Sequence, residues 1–147
     1  MTPEQKALAD AVAAELKLAA APDSDHDWAR VFILAGGGRI YISSGRQHGH
    51  LKISASVANH LRDHRPYYRD GEAPKTSINV SVSKPADRIV ADIRRRLLPE
   101  HEREAAACAA NKARHDDNNA KRVAALTKVA APFGEQVRRR ALCQVSN

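Results

Sequence analysis

The chain has 147 residues, and its hydrophobic content of 43% fits one domain with a single core. It carries 24 Lys and Arg against 17 Asp and Glu, and the resulting charge of +7 favours an acidic partner, either nucleic acid or a negatively charged protein groove. No run of about 20 apolar residues is present, and the first residues lack the pattern of a secretion signal, so we expect a cytoplasmic protein without a membrane helix.

The N-terminal segment is predicted to be a helix that begins after Thr2. Thr2 and Gln5 have the spacing of a capping box, and Pro3 suits a first helical turn. Apolar residues recur on one face at Leu8, Val12 and Leu16. The helix should end before Pro22, and a polar turn over residues 23–27 should follow.

Four stretches of strand-forming or alternating residues then predict an antiparallel sheet: 28–34, 39–43, 50–57 and 76–82. The run from Gly36 to Gly38 supplies the positive φ angles of a tight turn, so the first two stretches should form a hairpin. Alternation such as that of Leu51 and Ile53 with Lys52 predicts one apolar and one polar sheet face.

A second helix is predicted after Ser83, which should cap it. Apolar residues recur at three-and-four spacing: Ala86, Ile89, Val90, Ile93 and Leu97. This stripe should pack on the apolar sheet face. Leu98 and Pro99 are expected to restart the helix in a new direction.

Residues 99–131 are rich in alanine and charge but poor in large apolar side chains, which predicts a long helical arm. The polar stretch 115–119 leaves open whether this arm is one helix or two. Residues 132–147 are predicted to be a basic C-terminal tail, either a helical turn or disordered.

The predicted fold class is α+β: an N-terminal helix, a four-stranded antiparallel sheet, a packed helix and the alanine-rich helical arm. The predicted organisation is a compact domain over residues 1–98, the arm over 99–131 and the tail over 132–147.

The sequence contains no recognised catalytic constellation, and we expect neither an enzyme nor a bound cofactor. The spacing of the histidines at positions 48, 50, 60 and 64 does not match a zinc motif. Gly36 to Gly38 lacks the Lys and the helix start of a phosphate-binding loop. The two cysteines, Cys108 and Cys143, are expected to be reduced thiols.

Partner binding is predicted for a loop that combines basic and aromatic residues: Arg62, Arg65, Tyr67, Tyr68 and Arg69. Two arginine clusters are further candidates because they could neutralise phosphates: Arg94, Arg95 and Arg96, and Arg138, Arg139 and Arg140. Acidic residues are interspersed near the first cluster, so a solvated helix face is an equally good interpretation of it.

Two resemblances extend this interpretation. The order of helix, strands and helix, with Ser83-Lys84-Pro85-Ala86, resembles a double-stranded RNA-binding domain, although Pro85 and Asp87 stand where that family has lysine. The stretches 77–83 and 86–100, with residues 2–5, resemble small phage and prophage accessory proteins.

The second resemblance implies an inhibitor in the bacterial host cytoplasm that blocks a defence complex, as anti-CRISPR proteins do. Its partner would be a bacterial protein or ribonucleoprotein complex. The alternative is a nucleic-acid-binding domain that uses the basic helix and the tail.

Overall fold

The computed structural model describes the backbone of residues 1–69 and 71–130, with the side chains of these residues except 23–25 and 130. The protein is α+β, with helices packed against one antiparallel sheet. The chain divides into two compact units, one from Met1 to Cys108 and a second that begins at Ala109. The sheet lies wholly in the first unit.

The N-terminal helix α1 spans Pro3–Glu15 and begins as its sequence predicts. The backbone N–H of Gln5 donates to the Thr2 hydroxyl over 3.2 Å, and the Thr2 N–H donates to the Gln5 side-chain oxygen over 3.0 Å. The predicted capping box is therefore confirmed. Its apolar face buries Ala9, Val12 and Ala13.

The sheet has five strands, not the predicted four. In order across the sheet they are β1 Ala19–Asp25, β2 Ala29–Ile33, β3 Arg39–Ser44, β4 His50–Ser56 and β5 Ser77–Ser81. The strand missed from sequence is β1, which has no β-branched or aromatic residue and contains Pro22. An edge strand tolerates proline, and the register of β1 against β2 shifts between Ala20 and Asp25, around Pro22.

The predicted hairpin of β2 and β3 is confirmed. A short 3₁₀ turn over Ala35–Gly37 joins the strands, with φ angles of 81° at Gly36 and 82° at Gly37. These values are the left-handed conformation that glycine adopts without a steric cost.

One face of the sheet forms the core. Strand register places Ile42, Ile53 and Ile78 side by side across β3, β4 and β5. Helix α1 and the helix that was predicted after Ser83 pack over this face. Their apolar side chains and those of the sheet form one cluster, whose fully buried members include Val12, Ile40, Ile42, Leu51, Ile53, Val80, Ile89, Ile93 and Leu97. The predicted stripe is thus the buried side of the second helix.

Helix α2 is a single turn over Asn59–Arg62, and α3 spans Ala86–Asp92. The residue that caps α3 is Pro85, without a side-chain hydrogen bond, so the prediction that Ser83 caps this helix is wrong. The Ser83 hydroxyl instead pairs with the Ser81 hydroxyl at 2.8 Å.

A π-helical turn over Ile93–Leu97 leads from α3 directly into α4, Leu98–Ala130. Within it the Leu98 N–H donates to the Ile93 carbonyl. Proline at position 99 has no N–H, and its ring would clash with the Arg95 carbonyl in a regular α-helix. The wider turn relieves this conflict, and the backbone stays helical through the position where a restart was predicted.

Helix α4 is one continuous helix through residues 115–119, which answers the question that the sequence left open. The acidic pair in this stretch does not cap a new helix, since Asp116 pairs with Lys112 and Asp117 with Lys121 at i, i+4 spacing. No helix within residues 1–69 and 71–130 is both long enough and apolar enough to cross a membrane.

Candidate binding surfaces

The segment between β4 and β5, predicted to be a binding loop, is attached to the first turns of α4. The Arg65 Nε atom lies 2.7 Å from Glu104 Oε1. The Arg103 guanidinium donates to the Glu72 carbonyl over 2.8 Å, and the Lys75 N–H donates to Glu100 over 3.1 Å. These contacts attach the described parts of the loop to α4.

Two of its five candidate residues point toward α4. The Glu104 side chain is only 6% exposed, while that of Arg65 is 51% exposed, so Arg65 neutralises a carboxylate in the interior. The Tyr68 hydroxyl is buried next to it, and burial raises its pKa. Burial also raises the pKa of the Cys108 thiol, which makes this cysteine a poor nucleophile.

The other three candidates are exposed. Arg62 and Arg69 lie at the surface, and the Tyr67 side chain is 96% exposed. Burial of this ring against a partner would gain free energy. The structure thus divides the predicted cluster into an inner part, Arg65 and Tyr68, and an outer part centred on Tyr67.

The predicted arginine cluster of the second helix lies in the π turn, and all three of its side chains are exposed. Successive residues of a helix project in different directions, so Arg94, Arg95 and Arg96 do not share one surface. Of the three, only Arg95 forms an ion pair with a described acidic residue, and its guanidinium lies 3.1 Å from Asp92.

Around Asp92 the structure assembles a basic pocket that sequence reasoning missed. Lys84 Nζ lies 2.7 Å from the Asp92 carboxylate, and this hydrogen bond, with the nearby positive charges, lowers the pKa of Asp92. Arg88 and Arg95 complete the rim of a depression of about 280 Å³. The i, i+4, i+7 spacing of positions 88, 92 and 95 was the signal available in the sequence.

Trp28, the first residue of the predicted stretch 28–34, is a further exposed aromatic residue. Its side chain is 60% exposed and stacks on His26, with ring centroids 5.6 Å apart. The predicted tail residues Arg138, Arg139 and Arg140 lie outside the described residues.

Two of the four histidines are in contact, since His50 Nδ1 lies 3.3 Å from the His48 carbonyl. His48 and His60 are exposed and His50 and His64 half-buried, and the described part of the chain holds no group of three His, Cys, Asp or Glu side chains arranged to bind a metal ion. His101 is buried; its Nε2 lies 3.2 Å from the Ser56 carbonyl and must carry the proton, since a carbonyl only accepts.

Comparison with family models, with curated proteins and with solved structures finds no match to this chain.

Proposed function

We propose that the protein acts by binding, and that it blocks a bacterial protein or ribonucleoprotein complex by covering part of its surface, as an anti-CRISPR-like inhibitor would. The observation that carries the binding proposal is Tyr67, an almost fully exposed aromatic ring on an anchored loop. The phage setting and the defence complex depend only on the sequence resemblance of residues 2–5, 77–83 and 86–100.

The anchoring of the loop matters for affinity. Ordering a free loop on binding costs conformational entropy, whereas the Arg65–Glu104 pair and the Arg103–Glu72 hydrogen bond already hold this one. A tyrosine held in this way, with arginines beside it, has the composition of an interface hot spot. We expect the Tyr67 ring to contribute about 2 kcal/mol or more to the binding free energy.

The test is an infection assay in bacterial strains that each carry one active CRISPR–Cas system. Expression of the protein should restore plaque formation by a targeted phage in at least one strain. The double variant Tyr67→Ala, Arg69→Ala should lose this activity and keep its melting temperature, because both side chains are exposed.

Glu72→Ala is the matched control, since Glu72 lies in the same loop and its hydrogen bonds use backbone groups, which alanine keeps. It should keep full activity. The proposal is wrong if the wild-type protein restores plaques in no strain, or if the double variant remains active.

Nucleic-acid binding by the helix and the tail is the second candidate, and the basic pocket around Asp92 favours it. Lys84, Arg88 and Arg95 place three cations around one carboxylate. Binding of this kind weakens steeply with added salt. The variant Arg88→Glu should abolish it, whereas the loop variant should not affect it.

A further inference from the structure

The sheet has a second face, opposite the core, which is accessible on β4 and β5 but buried on β2, where Ala29 and Val31 are 0% and 2% exposed. Residues directly opposite on paired strands share a face, and register aligns Ser43, Lys52 and Asn79 across β3, β4 and β5. The next position along aligns Tyr41 with Ser54 and Ser77. Lys52, Asn79 and Ser77 are exposed, and Tyr41 and Ser54 are half-buried.

The part of this face that β2 to β5 form is positively charged. None of the positions that β2, β3, β4 and β5 place on it is Asp or Glu. Its cations are Arg39 on β3, Lys52 on β4 and Arg46 in the turn before β4. None of the three forms an ion pair with another residue of 1–69 or 71–130.

A groove of about 490 Å³ crosses the same face. Its lining consists of basic and uncharged polar side chains, without a carboxylate: Arg46, Gln47, His50, Lys52, Ser77 and Asn79. A neighbouring groove of about 690 Å³ shares Gln47 and His50 and contains one acid, Glu4. The acid-free groove is thus open to a negatively charged ligand.

Tyr41 lies among these cations. Arg39 is two residues before it on the same strand, about 7 Å away, and Lys52 is its diagonal neighbour on β4 at about 7–8 Å. An aromatic ring with cations on two sides can stack on a base while the cations contact the adjoining phosphates. The Ser and Asn side chains around it can donate to and accept from base edges.

We infer that this face binds single-stranded nucleic acid, independently of the loop at Tyr67. Single strands fit because their bases are free to stack on a flat surface, whereas the bases of a duplex stay in their own stack. An acidic peptide would use the cations but would leave the tyrosine and the amide and hydroxyl groups without a matching partner.

The test measures binding of the full chain to fluorescently labelled oligo(dT) and oligo(rU), each 15 nucleotides long, by fluorescence anisotropy in 50 mM salt. We expect both to bind, with sequence-tolerant affinity that falls as salt rises. Lys52→Glu should weaken binding by about tenfold or more. Tyr41→Leu should weaken it by about fivefold or more, and Tyr41→Phe, which keeps the stacking ring, should not.

Three controls separate this surface from the others. Arg94→Glu makes the same charge change on the second helix, and it should weaken binding much less than Lys52→Glu. Replacing Arg138, Arg139 and Arg140 with alanine tests the tail. Tyr67→Ala should leave oligonucleotide binding unchanged, so a failure of the loop proposal can be told from a failure of this one.

The inference is overturned if the wild-type chain binds neither oligonucleotide, or if Lys52→Glu and Arg94→Glu have equal effects. It is also overturned if the tail variant alone abolishes binding, or if oligo-glutamate competes as well as oligo(dT) does. A melting temperature within about 2 °C of wild type is required of each variant, and Lys52→Gln replaces Lys52→Glu if the latter fails this condition.

Discussion

The Arg65–Glu104 pair predicts an asymmetry between two single substitutions. Arg65→Met leaves the Glu104 carboxylate in the interior without its cation, whereas Glu104→Gln leaves a neutral amide opposite a guanidinium that water can reach. Removing one partner of a fully buried pair costs about 3–5 kcal/mol. Since Arg65 is half exposed, water can occupy the space that its side chain leaves. We therefore expect Arg65→Met to lower the free energy of unfolding by about 2 kcal/mol.

Glu104→Gln should cost only about 1 kcal/mol, because it leaves no charge behind. The double variant should lose no more than that single variant, since it removes both charges together.

Urea unfolding followed by circular dichroism measures all four proteins of this cycle. A loss of about 2 kcal/mol corresponds to a fall of about 4–8 °C in melting temperature for a chain of this size. The reasoning is refuted if Glu104→Gln is the more damaging single variant, or if Arg65→Met changes the unfolding free energy by less than about 0.5 kcal/mol.

Three further predictions concern the scaffold. Ile93→Asp should unfold the domain, because it places an unpaired charge at a fully buried site. Ile93→Val should lower the free energy of unfolding by only about 1 kcal/mol, and circular dichroism distinguishes the two outcomes. The pKa of Asp92 is lowered in the folded state, so the ionised carboxylate stabilises the fold above pH 3.8, and this stabilisation is lost as the pH falls below that value. Lys84→Met should reduce this loss of unfolding free energy in acid. An unchanged dependence of unfolding free energy on pH would contradict the role given to Lys84. Gly36→Ala should cost about 1 kcal/mol in urea unfolding from backbone strain alone, since φ is 81° and no atom lies within 4 Å of the added methyl group.

The elements that sequence predicted well are those whose signal is local. The capping box of Thr2 and Gln5, the triple glycine and the alternation of β4 each specify their structure within a few residues, and each is found. β1 was missed because its strand conformation comes from pairing with β2 and not from its own residues. Nothing in Ala19 to Asp25 considered alone favours a strand.

The candidate site was less predictable for a related reason. Composition identified the Arg and Tyr cluster, but only the fold shows that Arg65 and Tyr68 face α4 while Tyr67 faces solvent. The partner of Arg65 is 39 positions away, at Glu104, and no spacing rule connects positions so far apart. The basic pocket at Asp92 was missed as well, although the helical spacing of Arg88, Asp92 and Arg95 was visible in the sequence.

The π turn also determines the directions in which the side chains that follow it along the helix project. The buried residues Ile89, Ile93, Leu97 and His101 are four apart at every step, so three turns take 12 residues, where a regular α-helix would take about 10.8. The single residue gained in the π turn supplies this difference. Deleting one of the three arginines would restore regular winding, yet it would rotate His101 and Glu104 by about 100° away from Ser56 and Arg65. The length of the arginine run is therefore constrained by geometry, whatever the charges bind.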